Sequence, residues 1–144
     1  MAWRPIAGGI LGLALWWVLF FVIGVGIGLL WPEYREAARV MFQEHSFRLF
    51  TPPMLLANLL LFTVAGIIVG RIATLVARSR ISALVLAALL LLYAVIEHYI
   101  LLWTQLPPWY NLIVPLVIAG SIWLGSRTPK FRTGHAEGEP WTRE

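Results

Sequence analysis

Residues 6–31 read IAGGILGLALWWVLFFVIGVGIGLLW and carry no charged side chain. A hydrocarbon core about 30 Å thick is crossed by roughly 20 apolar residues of α-helix, so this segment is long enough to cross a bilayer. A helix is favoured over a strand because every backbone amide in lipid must be hydrogen bonded within its own segment. The alternative is a cleaved signal peptide, but the apolar region of a signal peptide has only about 7–15 residues. The segment therefore predicts a transmembrane helix.

Three further apolar segments are long enough, or nearly so, to cross a bilayer: residues 53–77, 81–103 and 108–125. Arg71 interrupts the first of these, and Glu97 with His98 interrupts the second. The links between the segments are short, so consecutive segments are expected to be antiparallel neighbours. The sequence therefore predicts an all-α polytopic membrane protein with four transmembrane helices in one domain, residues 1–125.

The composition separates this chain from soluble enzymes. Hydrophobic residues make up 60% of the chain and charged residues 12%, whereas a soluble domain carries about 25% charged residues. Cysteine and aspartate are both absent, which excludes disulfides, thiolate metal sites and cysteine nucleophiles. No nucleotide-binding loop, zinc signature or serine nucleophile elbow is present. We therefore expect neither an enzyme nor a bound metal, and the net charge of +4, without a basic run, does not indicate nucleic acid.

The segment after the first apolar stretch has the pattern of a short amphipathic helix, residues 32–50. Pro32 suits the first helical position, and apolar and polar side chains lie on opposite faces at helical spacing. The apolar face contains Tyr34, Ala37, Ala38 and Met41, and the polar face contains Arg35, Glu36, Arg39, Gln43 and Ser46. Glu44 precedes Arg48 by four residues, the favourable order for an ion pair. We expect this helix to lie on the outer membrane surface; the alternative is an irregular loop.

The basic residues are divided unequally between the two sides of the predicted bundle. One side carries Arg4, Arg71, Arg78, Arg80, Arg127, Lys130, Arg132 and Arg143, and the other carries Arg35, Arg39 and Arg48. Because arginine and lysine accumulate on the cytoplasmic side, both termini are predicted to be cytoplasmic. The tail, residues 126–144, has no apolar periodicity and is expected to be disordered in the cytoplasm.

Glycines recur at four-residue spacing in the first two apolar segments. The pairs are Gly8 and Gly12, Gly24 and Gly28, and Gly66 and Gly70. This spacing lets two helix backbones approach closely, as in many associating membrane helices. Two interpretations stay open: docking on another subunit or on a second copy of the chain, and packing within the chain's own bundle.

An ionisable side chain inside a membrane span is a candidate functional residue. Glu97 lies about 9 Å from Trp103 along the helix axis, and so just below the outer interface. Its carboxylate either binds a proton or cation, or forms a salt bridge to the surface helix through Arg39, Arg48 or His45. Polar residues at similar depth are expected to form one cluster: Asn58, Tyr93, Glu97, His98 and Asn111.

His98 raises the question of a cofactor. A single membrane histidine can bind haem iron or the magnesium of a chlorophyll-type pigment. No second histidine lies at a suitable depth for bis-histidine haem within one chain. The alternative is a hydrogen-bonded histidine near the interface, and no cofactor is predicted.

The layout resembles a loose group of small, uncharacterised four-helix proteins of the bacterial inner membrane. The resemblance rests on the charged segment after the first helix, on the small residues Ala65, Gly66 and Gly70, and on the turn Pro107-Pro108-Trp109-Tyr110. It implies a multi-pass protein of that membrane and lends no activity.

Three functions stay open. The first is a non-catalytic subunit or accessory protein of a larger respiratory, photosynthetic or transport complex, which the small size and the glycine faces favour. The second is a small homo-oligomeric transporter or channel that uses Glu97 as a proton or cation site. The third is a membrane enzyme acting on a lipid-like substrate with Glu97 and His98 as acid and base. The expected partners are the lipid bilayer and other membrane subunits or further copies of the chain.

Overall fold

A computed structural model describes residues 3–127, and this part of the chain is helical and contains no β-strand. Its helices are α1 (Trp3–Leu30), α2 (Pro32–Glu44), α3 (Pro52–Ala77), α4 (Arg80–Val95), a π-helix that continues α4 (Ile96–Leu101), and α5 (Pro108–Ser126). With α4 and the π-helix counted as one, four segments are long and apolar enough to cross a membrane. The predicted all-α polytopic fold is confirmed. From residue 128 onward, the predicted disordered tail lies outside the described residues.

The four long helices run alternately in opposite directions. The first turns of α1 lie against the end of α3 and the start of α4, since a Cβ on Gly8 would be 2.8 Å from that of Ala77 and 3.1 Å from that of Ser82. At the other end of the bundle, named here the α2 end, Gly28 of α1 lies against Arg35 of α2. From the α2 end, α3 and α5 run in the same direction.

α3 and α5 pack with their backbones in contact. A Cβ on Gly70 would lie 2.5 Å from the carbonyl oxygen of Ile122, and a Cβ on Gly125 would overlap the carbonyl oxygen of Ile67. Any larger residue at these two positions would push the helices apart. Glycine is therefore what allows the two helices to lie side by side at this distance.

Most of the glycines predicted for helix packing face neighbouring helices of the same chain: Gly8, Gly12, Gly66 and Gly70. Gly28 packs against α2, and the only side chain near Gly24 is the tip of Leu61, at 4.0 Å. Packing within the chain therefore accounts for five of the six positions, all but Gly24. Docking of another chain on the remaining surface stays a prediction.

α2 has the two faces that the sequence predicts. Tyr34 is buried and Arg35 is exposed. Glu44 and Arg48 form the expected ion pair, with 2.9 Å between Oε2 and Nη2. A regular helix, and not the alternative irregular loop, therefore occupies residues 32–44.

This helix is shorter than the predicted range, residues 32–50. It ends at Glu44 because His45 adopts a left-handed backbone conformation, with φ of 51°. After the turn, Phe47 and Phe50 pack against the core of the bundle. The residues after the turn therefore belong to a loop that packs on the bundle and not to the helix.

The third long segment is not an α-helix throughout. The prediction is one α-helix over residues 81–103, but the α-helix ends at Val95 and a π-helix follows. Within it, the amide of Leu102 donates to the carbonyl of Glu97, five residues earlier, at 2.9 Å. A π-helical turn inside an α-helix is rare and frequently lies at a functional site. This one contains both Glu97 and His98.

Candidate functional site

A cavity of about 470 Å³ lies inside the bundle at the α2 end. All four long segments contribute to its walls, and α2 with the loop after it covers it. Four residues of the predicted polar cluster line this cavity: Asn58, Tyr93, Glu97 and His98. The fifth, Asn111, is fully buried and is hydrogen bonded to His98. The structure therefore brings all five to one end of the bundle.

Asn58 connects three helices through its amide. The amide oxygen accepts a hydrogen bond from the Tyr34 hydroxyl of α2, and the Tyr110 hydroxyl of α5 lies next to the same amide. None of the three side chains is more than 5% exposed. Burial raises the pKa of the Tyr34 hydroxyl to about 12. Tyr34 therefore stays a neutral hydrogen-bond donor near pH 7 and holds α2 on α3.

His98 has a fixed tautomer. Its Nδ1 is 2.9 Å from Oδ1 of Asn111. The amide nitrogen of Asn111 donates to the carbonyl oxygen of Leu106 at 3.4 Å. Because a carbonyl oxygen only accepts, this bond turns the amide so that its oxygen faces His98. In the neutral ring the proton is therefore on Nδ1, and Nε2 is a hydrogen-bond acceptor.

The second ring nitrogen of His98, Nε2, is not fully buried, and His98 lines the cavity. His98 is only 5% exposed. Within residues 3–127, every fully buried side-chain nitrogen or oxygen has a hydrogen-bond partner, so a ring nitrogen without a partner is not fully buried. The hydrogen bond of this ring is made by Nδ1, so Nε2 is open, and the space beside it is the cavity that His98 lines. The structure thus matches the hydrogen-bonded alternative for His98.

Glu97 lines the cavity without a cationic partner. The salt bridge that would hold α2 on the bundle is not formed, because both arginines pair within their own segment. Nε of Arg39 is 2.9 Å from Oε2 of Glu36, and Nη2 of Arg48 is 2.9 Å from Oε2 of Glu44. Within residues 3–127, these two pairs are the ion pairs of the structure. The half-buried Glu97 carboxylate is therefore free of them.

A row of aromatic rings, named here the aromatic wall, leads along the cavity to Glu97. The rings belong, in order of contact, to Trp16, Phe62, Phe20, Trp17 and Tyr93. Neighbouring ring centroids are between 5.2 and 6.0 Å apart. The last ring, that of Tyr93, is one helical turn before Glu97, and the two side chains are neighbours. Sequence analysis predicted only Tyr93 among these rings.

The cavity opens to the outside of the bundle between α1 and the π-helix. Trp17 and Leu101 line the cavity there and are 42% and 63% exposed. Closer to the α2 end, the exposed side chains of His45 and Gln105 also line it. The opening is therefore apolar on one side and polar on the other. His45, predicted as a residue of the surface segment and as a possible salt-bridge partner of Glu97, reaches the cavity because the chain turns after α2.

Within residues 3–127, no group of three or more His, Asp or Glu side chains is placed to hold a metal ion. Comparisons with protein-family models, curated proteins and solved structures gave no match. The chemistry of the cavity is therefore the basis on which a function is proposed.

Proposed function

We propose that this chain is a small membrane protein that binds an amphipathic organic cation, with the Glu97 carboxylate as the cation site. One observation carries the proposal. Glu97 is half buried on a cavity of about 470 Å³, and within residues 3–127 it has no ion-pair partner. Binding at Glu97 is the first step of the predicted transporter.

Charge is the first reason for a cationic ligand. A carboxylate that is removed from bulk water loses hydration, and a neighbouring positive charge compensates for this loss. At the α2 end, Arg39 and Arg48 pair with Glu36 and Glu44, and none of the ion pairs within residues 3–127 joins an arginine to Glu97. A cation that enters the cavity supplies it.

The aromatic wall is the second reason, and it favours an organic cation. An aromatic face attracts a cation by about 0.5–2 kcal/mol, depending on how far the pair is removed from water. The wall also offers apolar contact area to the body of a ligand. A volume of about 470 Å³ falls within the range of roughly 300–1,000 Å³ that small-molecule sites occupy. An inorganic cation would leave the apolar contact area of the wall unused.

The position of the opening supports entry from the bilayer. Its apolar border, with Trp17 and Leu101, lies between two membrane-spanning segments. Its polar border, with His45 and Gln105, lies toward the α2 end. A molecule with an apolar body and a charged end, lying at a membrane interface, meets both borders in the matching orientation.

The proposed orientation in the membrane places the α2 end outside the cytoplasm. The start of α1 and the turn between α3 and α4 lie together at the opposite end. Basic residues of this opposite end include Arg4, Arg78 and Arg80. Since cytoplasmic ends are enriched in such residues, we propose that both termini are cytoplasmic, in a bacterial inner membrane.

The other two predicted functions stay predictions. Apolar side chains are exposed along all four spans, and lipid suits these surfaces as well as another subunit or a second copy does. Glu97 and His98 lie side by side, as the enzyme alternative requires. The described residues that line the cavity, however, include no serine, threonine or cysteine that would act as a nucleophile.

Equilibrium binding in lipid nanodiscs tests the proposal. The probe is a fluorescent lipophilic cation with one positive charge, and the proteins are wild type, Glu97→Gln and the control Glu33→Gln, which changes an exposed carboxylate of α2 outside the cavity and outside the two ion pairs. A charge-assisted contact contributes about 1.5–3 kcal/mol, so Glu97→Gln is expected to weaken binding by roughly 10- to 100-fold. Glu33→Gln is expected to bind like wild type. Equal affinity of wild type and Glu97→Gln would contradict the proposal.

A further inference from the structure

Two residues that line the same cavity carry hydrogen-bond acceptors: the Glu97 carboxylate and, in the neutral ring, Nε2 of His98. On the basis of the function proposed above, we infer that the bound cation is a protonated amine that carries N–H bonds. Asn111 makes the site selective for such an amine by presenting Nε2 of His98 as an acceptor beside the carboxylate.

Glu97 and His98 reach the same cavity from consecutive positions of the chain. Glu97 and His98 are the second and third residues of the π-helix, and both line the cavity. A ligand headgroup beside one of them is therefore close to the other.

The buried amide of Asn111 keeps the His98 ring in its acceptor form. Asn111 is 0% exposed, and its two ends are used by Nδ1 of His98 and by the carbonyl oxygen of Leu106. If the amide were rotated by about 180°, its oxygen would face the carbonyl oxygen of Leu106. Both oxygens would then be buried without a hydrogen-bond donor. The ring is also packed beside that of Tyr110, with 5.8 Å between centroids. In the neutral ring, Nε2 therefore keeps a free lone pair, and His98 lines the cavity.

An amine satisfies both acceptors, and a quaternary ammonium ion does not. A primary or secondary ammonium group has at least two N–H bonds, one for the carboxylate and one for Nε2. A trimethylammonium group carries the same charge but has no N–H bond, so Nε2 would face methyl groups and lose the hydrogen bond that water provides. Sites built around a hydrogen bond reject analogues that lack it far more strongly than sites built on apolar contact alone.

The other polar side chains of the opening do not provide this selectivity. The side-chain oxygen of Gln105 already accepts a hydrogen bond from the amide of Phe47 at 3.3 Å. His45 is exposed at the rim, where water replaces any hydrogen bond that a ligand lacks. His45 is therefore the matched control for His98: a second histidine on the same cavity, outside the buried cluster.

The test compares three ligands built on one aromatic body: a primary amine, its trimethylammonium analogue and its uncharged hydroxyl analogue. Their equilibrium binding is measured in nanodiscs, with empty nanodiscs to subtract partitioning into lipid. We expect wild type to bind the amine about 10-fold more tightly than the trimethylammonium analogue. His98→Phe is expected to remove this preference without weakening the trimethylammonium analogue. His45→Phe is expected to keep the preference.

A spectroscopic measurement on the wild-type chain tests the tautomer that Asn111 imposes on His98. Nitrogen NMR of wild type with isotope-labelled histidine reports which ring nitrogen carries the proton. The expected result for His98 is a proton on Nδ1 and none on Nε2, and Asn111→Leu is expected to lose this fixed tautomer together with the preference for the amine. A wild-type signal with the proton on Nε2 would overturn the inference.

The binding results separate the inference from the function on which it rests. If wild type binds the amine and the trimethylammonium analogue equally, and Glu97→Gln weakens both, the inference fails and the proposed function stands. If the uncharged analogue binds as tightly as the amine, or if none of the three ligands binds, the proposed function fails and the inference fails with it.

Discussion

Glu36, Glu44 and Glu97 differ in the side chains that lie one helical turn away. Glu36 has Arg39 three residues later, and Glu44 has Arg48 four residues later. At the corresponding distances from Glu97 the side chains are alanine, tyrosine, isoleucine and leucine. Local pairs form readily at these spacings, so the arginines are engaged before Glu97 can compete for them. The unpaired carboxylate of the cavity is therefore a consequence of local sequence spacing.

Tyr34 makes the free energy of unfolding depend on pH in the alkaline range. Its pKa is about 12 in the folded chain, against 10.0 for an exposed tyrosine. Between these values the unfolded chain releases the proton and the folded chain keeps it, so the contribution of Tyr34 is complete below pH 10 and is lost as the pH rises toward 12. The free energy of unfolding in detergent is expected to fall by about 1–3 kcal/mol more in wild type than in Tyr34→Phe over this range. Identical pH profiles would refute the burial of Tyr34 between α2 and α3.

The polar part of the site could be predicted from the sequence, and the aromatic part could not. Polar residues inside apolar segments are conspicuous, and their distance from the segment ends gives their depth; Asn58 and Glu97 were found in this way. Aromatic residues occur throughout these segments, so only the packing of α1 and α3 shows which rings face the cavity. The tautomer of His98 also depends on packing, because it is set by the carbonyl of Leu106 acting through Asn111.

At the scale of the helices, the four spans could be predicted from the length of the apolar segments. The π-helix and the end of α2 could not be predicted, because packing determines them. Nothing in the composition of residues 81–103 distinguishes a π-turn from an α-turn, since the same residue types occupy both. The end of α2 at Glu44 follows from the left-handed backbone of His45. In a sequence, glycine is the usual signal for such a helix end, and histidine is not. Both features bring polar side chains to the cavity.

Two glycines of α5 provide a matched test of the contact between α3 and α5. A Cβ on Gly125 would overlap the carbonyl oxygen of Ile67, whereas a Cβ on Gly120 would meet nothing within 4 Å. Gly125→Ala is expected to destabilise the fold by about 1–3 kcal/mol because the backbones must separate. Gly120→Ala is expected to be neutral or to stabilise by up to about 1 kcal/mol, since alanine favours helix. Unfolding in detergent, followed by circular dichroism, measures both; equal stability of the two variants would refute the close contact.

At the scale of the whole molecule, the cavity exists because α1 is close to α4 at one end only. Near the turn between α3 and α4, Gly9 meets Val85 and Gly12 meets Leu86. In the middle of α1, large rings take the place of the glycines, and the rings of Trp17 and Tyr93 meet across the gap. The change from small to large residues along this part of α1 therefore separates the closely packed end from the cavity.

The proposed orientation can be tested with single cysteines because the chain has none of its own. Ser46→Cys lies near the α2 end, and Ser79→Cys lies in the turn between α3 and α4. In intact bacterial cells, a membrane-impermeant maleimide is expected to label Ser46→Cys and to label Ser79→Cys only after the membrane is opened. The reverse pattern would contradict the proposed orientation, and labelling of both in intact cells would contradict the four-span fold.

Photoaffinity labelling is the most direct test of the claim that a cation binds beside Glu97. An aromatic amine with a photoreactive group is bound to wild type in nanodiscs, irradiated, and located by mass spectrometry of the digested chain. The account predicts labelling at Trp17, Tyr93 and Glu97 that excess unlabelled amine suppresses and that Glu97→Gln abolishes. Labelling that excess amine does not suppress, spread over exposed residues outside the cavity such as Leu116, would contradict it.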